Sequence, residues 1–174
     1  MYRPRLLLPV ALLLVLSGCE WGDGMGLMHQ EPHPLVGAWR TVSMEVYLDA
    51  DEPGGGPRAI SVSEDMWEET FGIQPAMTRF SDDGYYATVY LDSEGDVLRR
   101  MAGHWVADDD RVTLVQVEPE PDRQTYRFTM QGSLQARFQT RLDWNSDGNS
   151  NDLYIGVQRR LRDSEHDVSV WETH

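Results

Sequence analysis

The chain has 174 residues, a formal charge of −14 at neutral pH, 15 arginines against 29 acidic residues, and one cysteine. Its length suits one domain with a real core. So acidic a surface excludes a nucleic-acid partner, whose phosphates need a basic face. The single cysteine excludes an internal disulfide, and the absence of lysine excludes Schiff-base chemistry, a lysine nucleophile and a P-loop lysine.

In chain order, Arg3 and Arg5 precede an apolar run from Leu6 to Leu16 that is too short to span a bilayer. The run ends Leu16-Ser17-Gly18-Cys19, which resembles the lipobox of bacterial lipoprotein signal peptides. That resemblance implies cleavage after residue 18 and acylation of Cys19, with palmitate-type chains holding the mature chain to the lipid bilayer. An ordinary secretory leader with a chance cysteine is the alternative. Glu20 is not the Asp that usually retains enteric lipoproteins in the inner membrane, which points to the outer membrane of a bacterial cell envelope. Residues 19–34, rich in Gly, Met, His and Pro and without period, form the lipidated cysteine and a flexible tether. His29 and His33 lie four apart there, but without a helix that spacing has no ligand geometry.

From Leu35 the pattern is that of strands. Val42, Met44, Val46 and Leu48 share one parity and Trp39 the other, which requires a bend or bulge near Arg40. Asp49 to Pro57 is a Gly-rich loop. Ser61-Val62-Ser63-Glu64 reads as a capping box, followed by a two-turn helix with Trp67 and Phe71 on one face and Gly72 at its end. Short strands divided by acidic turns follow at 76–81, 85–91, 97–107, 111–117 and 124–130. A hairpin closes the series, with Leu134, Ala136, Phe138, Thr140, Leu142 and Trp144 on one parity and a return strand through Leu153, Ile155 and Val157. Eight strands with short connections predict an all-β domain over 35–162, an eight-stranded antiparallel up-and-down barrel with one short helix in its first loop and a tail at 163–174.

Three segments carry a family resemblance. Gly37-Ala38-Trp39 in strand one resembles the G-x-W signature of lipocalins, and Asp83-Gly84-Tyr85 and Gly103-His104-Trp105 are similar to segments of bacterial lipocalin-like domains. The resemblance implies that Trp39, behind Gly37, closes one barrel end and packs against an arginine of the last strand. Arg159 shares the parity of Ile155 and Val157 and is the expected partner. Two departures from the family are the missing disulfide and the lack of a clear helix after strand eight.

The resemblance also implies a ligand site inside the barrel. A small, largely apolar ligand would meet Tyr126, Phe128, Met130, Phe138 and Leu142, with the Trp67 segment over the mouth and a cavity of roughly 300 Å³ or more. The alternative is a filled barrel, a non-enzymatic module whose acidic loops meet a protein partner or calcium. Asp143, Asn145 and Asp147, followed by Gly148, resemble the first half of an EF-hand calcium loop, with Asp152 as the closing carboxylate; a polar hairpin turn explains the same residues. No hydrolase or redox motif appears, and His104 alone does not make a catalyst, so no enzyme is expected. One of Arg99 and Arg100 should face inward, to anchor an acidic head group, pair with a carboxylate or sit at the rim.

Overall fold

The computed structural model describes residues 31–49, 58–165 and 168–171. The expected signal peptide, Cys19 and the expected tether up to residue 30 lie outside the described residues. Nine strands form one antiparallel sheet: β1 Gly37–Leu48, β2 Arg58–Ser63, β3 Met77–Phe80, β4 Tyr85–Leu91, β5 Val97–Asp108, β6 Arg111–Glu118, β7 Asp122–Gln131, β8 Gln135–Leu142 and β9 Asp152–Arg160. A 3-10 turn, Glu64–Met66, runs into the one α-helix, α1 Trp67–Phe71. No helix among the described residues is long and apolar enough to cross a membrane.

Strand β9 returns to β1 and zips to it from Trp39↔Arg160 to Tyr47↔Leu153, which closes the ring. Eight staves make the barrel: β1 and β3 to β9, each hydrogen-bonded to the next. The remaining strand, β2, was not expected. It pairs with the second half of β1, from Ser43↔Ser63 to Leu48↔Arg58, while β3 takes the first half of the same edge. Because β2 runs to Ser63, the expected capping box does not form. Ser63 makes no cap bond to the helix, and Glu64 instead bonds Arg40 at 3.2 Å.

The bulge inferred from the parity change in β1 is present, between Thr41 and Ser43. It turns both Trp39 and Thr41, and then Met44 and Val46, to the inside. One end of the barrel is plugged by Leu35, Trp39, Phe80, Val112, Phe128, Ala136 and Phe138, with Trp105 and Met130 packed against them. Burying an aromatic of this size removes roughly 150–250 Å² from water, worth roughly 4–6 kcal/mol before ordering costs. His33 belongs to this plug as well, with its ring 5.3 Å from Trp105 and 5.8 Å from Phe128.

A second apolar cluster lies outside the wall. Ala38, Met77, Val89 and Leu91 are covered there by Leu161 and by Trp171 of the 3-10 turn Val168–Trp171. Leu161 and Trp171, from the segment after β9, thus cover this outer face of the barrel. Every described strand and core cluster lies between Leu35 and Trp171, so this part carries its own fold.

Candidate functional site

Arg160, not Arg159, stacks on Trp39, with its guanidinium carbon 4.4 Å from the ring centroid. The register decides this: Arg160 sits directly opposite Trp39, and Arg159 opposite Arg40. In β9 the inward parity is Tyr154, Gly156, Gln158 and Arg160, while Leu153, Ile155 and Val157 lie on the outer face. Arg159 points outward with them and bonds Glu165 at 3.0 Å. Arg160 also donates to the carbonyls of Val36, Pro34 and Ser133, and the Trp39 indole N–H donates to Leu35 O at 2.7 Å. Gly37 makes room for this clamp: its φ is +131°, and a Cβ there would run into Arg160 Nη1.

Above the plug the barrel holds a cavity of about 210 Å³. Tyr126, Phe138 and Trp67 line it, as expected. Phe128 and Met130 do not; they face inward but lie further toward the closed end, in the plug. Leu142 lies at the opposite end, on a wider space of about 530 Å³ at the mouth. The cavity is smaller than expected because inner side chains that had not been anticipated reach into it, among them Met44, Tyr90 and Tyr154. Tyr154 fits because residue 156 is glycine; a Cβ there would strike the Tyr154 hydroxyl. The Tyr86, Thr88, Tyr90 alternation was a readable signal for this wall, whereas the reversed parity of β9 hid Tyr154 and Gln158.

The cavity wall is polar in places and carries no charged side chain. Thr78 and Thr88 hydroxyls pair across β3 and β4 at 3.0 Å. Among the described residues, the Trp67 indole N–H and Gln158 Oε1 are buried without a hydrogen-bond partner. Such groups cost stability unless something bonds them. Burial, with a smaller push from Tyr90, moves the Tyr154 phenol up to about 12. Burial also raises Tyr126 and Tyr90, so the inner phenols are neutral donors and acceptors at neutral pH.

Helix α1 reaches this cavity through Trp67 alone and lines none of the mouth space. Trp67 packs with Met44, Val46 and Val62, and Phe71 lies 5.2 Å from its ring. The mouth space shares Met101, Leu114 and Tyr126 with the cavity and is edged by Arg99, Glu120, Asp122 and Asp143. Arg99 is thus the inward member of its pair, placed at the rim. Arg100 faces out, 3.6 Å from Glu118 and 3.2 Å from Trp171 O.

The Asp143 loop does not assemble the expected cation cage. Asp143 accepts the N–H groups of Asp147 and Gly148 at 2.9 and 3.0 Å, and Asp147 accepts that of Asn149 at 2.8 Å. Asn145 Oδ1 accepts the Asp147 N–H at 3.0 Å. These oxygens shape the turn. Asp152, the expected closing ligand, is fully buried and turned away, accepting N–H groups from Asp49 at 2.9 Å, Trp144 at 2.8 Å and Asn145 at 3.2 Å. The Asp49 N–H, assisted by those of Asn145 and Trp144, holds its carboxyl below the usual range against the opposing effect of burial. No group of three or more His, Cys, Asp or Glu among the described residues is arranged to hold a metal ion. His104 is exposed and stacks 4.4 Å from Tyr85 on the outer wall.

No protein-family model matches the chain, and no curated protein matches it. Among solved structures it is similar to a lipocalin-like protein from Bacteroides uniformis, at 12% identity and a TM-score of 0.47, over 74% of this chain and 100% of that one. It is also similar to an uncharacterised protein from Bacteroides eggerthii, at 11% identity and a TM-score of 0.42, over 73% of this chain and 99% of that one.

Proposed function

We propose that this chain is a lipid-anchored protein of the bacterial cell envelope whose barrel binds a small, uncharged molecule. Ligand contact is mainly apolar, through Met44, Tyr126, Phe138 and Trp67, with hydrogen bonds at a few fixed points. The observation that carries this reading is the cavity of about 210 Å³, apolar over most of its wall, with Thr78, Thr88, Gln158 and the neutral phenols of Tyr90 and Tyr154 as its polar points. The volume lies below the roughly 300–1,000 Å³ of drug-sized sites, so a long acyl chain is excluded and a compact molecule is favoured. Catalysis is not part of the proposal.

The test is mass spectrometry of what leaves the purified native protein on denaturation, together with the mass of the processed N-terminus. A compact neutral compound and an acylated Cys19 are the expected results. Titration of that compound should give affinity that falls in Trp67→Phe and Gln158→Leu. Recovery of no compound, with no change in melting temperature on adding extract, would remove the ligand reading.

A further inference from the structure

The outer wall of β6, β7 and β8 has a charge opposite to that of the chain as a whole. Arg111 on β6, Arg123 and Arg127 on β7, and Arg137 and Arg141 on β8 all share the outward parity, between Thr113, Thr125 and Gln139. Arg111, Arg123, Arg127 and Arg141 line a shallow groove of about 640 Å³ together with Thr125 and Leu153. The one carboxylate bonded there among the described residues is Asp110, 3.0 Å from Arg127, and both side chains are more than half exposed. Arg141 donates to Asn151 O at 3.0 Å and Arg137 to Gln139 Oε1 at 3.4 Å.

Arg111 stands directly opposite Arg127 in the β6–β7 register. Like charges in that position repel and destabilise a strand pair. A chain with 29 acidic residues could have placed one opposite either arginine, and here it does not. Arg123 lies four residues along β7 from Arg127, roughly 13 Å at about 3.3 Å per residue, so the positive charge extends as a strip rather than a point.

We propose that this wall is the face the domain turns toward its membrane, docking on anionic phospholipid headgroups. The choice of partner rests on the lipoprotein reading above. A chain held at Cys19 by a tether of about 15 residues reaches at most roughly 50 Å, which keeps the wall near a bilayer. Arginine forks bind phosphate oxygens in pairs, and Leu153 and Val115 between them suit a headgroup layer. The acidic remainder of the surface then faces away, which fixes the domain's orientation.

The test uses residues 20–174, which contain the self-sufficient fold and lack both the apolar leader and the acylated cysteine. Sedimentation with phosphatidylcholine vesicles is compared with vesicles in which about a third of the lipid is phosphatidylglycerol, at low and at physiological salt. The expected result is association with the anionic vesicles alone, weakening as salt rises. Each Arg→Gln change on the wall should lower partitioning about fivefold, and Arg111→Gln with Arg127→Gln about 25-fold. Arg79→Gln, at the exposed residue of β3 and outside the wall, changes net charge equally and should have little effect. The double variant should keep or raise its melting temperature, since it relieves repulsion. Equal behaviour on both vesicle types, an Arg79 effect as large as a wall effect, or self-association at low salt in place of vesicle binding would each overturn the proposal. An unacylated Cys19 in the native protein removes the anchor without touching this measurement, so the two failures are distinguishable.

Discussion

Arg160 and Arg159 are neighbours in sequence with opposite work. Arg160 is clamped between the Trp39 ring and three carbonyls, whereas Arg159 reaches Glu165 and Glu64 on the partly exposed outer side. Replacing Arg160 by Met removes a cation–π contact on the buried Trp39 ring and three hydrogen bonds to carbonyls, one of them part-buried, a loss of about 1–2 kcal/mol. Arg159→Met removes only screened ion pairs and should cost about 0–1 kcal/mol. Denaturant unfolding of the two variants checks this, and equal losses would contradict the assignment. Asp152 makes a second residue-scale case. Its carboxyl is held below its ordinary 3.8, so its contribution is fully present above that pH and is lost as pH falls through the lower folded value. Asp152→Asn, which sets an amide N–H against a backbone donor, should lower the melting temperature at neutral pH. It should also flatten the acid limb of the stability profile. An unchanged acid limb would show that the three N–H bonds do not carry the effect.

At the scale of elements, alternation was readable wherever only one face of a strand is apolar. Strands β7 and β8 follow their expected parity, and even the bulge in β1 was legible, because Trp39 and Met44 cannot share a face without one. Strand β9 failed for a physical reason. Its outer residues Leu153, Ile155 and Val157 are half-covered by the neighbouring arginine and glutamine side chains of β8, while its inner face carries Tyr154, Gly156 and Gln158. Hydrophobicity alone therefore assigns the faces backwards. Strand β2 was missed because Ile60 and Val62 are too few to announce a strand beside a loop. The C-terminal segment was hidden for a related reason: Leu161 and Trp171, its buried residues, stand ten positions apart with no period between them. It nonetheless seals Met77, Val89 and Leu91. Ending the chain after Arg162 should cost about 2–4 kcal/mol, with new binding of an apolar dye. Full stability in the truncated chain would mean that the outer cluster contributes nothing.

For the whole molecule, eight staves, closure and the Trp39 plug follow from short-range patterns, whereas the cavity depends on how far each side chain reaches along the axis. That is why Tyr126 and Phe138 line the cavity whereas Phe128, Met130 and Leu142, with the same parity, do not. The interior that results has a collective titration. Burial pushes Tyr86, with help from Asp122 and Tyr90, and Tyr154 up to about 12, and raises Tyr90 and Tyr126 as well. In the unfolded chain these phenols ionise near 10. For a group whose folded value is raised, the stabilising contribution is complete below the unfolded value and is lost as pH rises toward the folded one. Stability should therefore hold up to about pH 10 and fall steeply between there and about 12. Melting temperature against pH measures the fall, and tyrosinate absorbance measures ionisation in the same samples. The inner phenols should ionise together with loss of the barrel's circular dichroism, and Tyr154→Phe should make the alkaline limb shallower. Ionisation of every tyrosine with the barrel intact would mean that water enters the interior freely, and a sealed, uncharged ligand site would then be untenable.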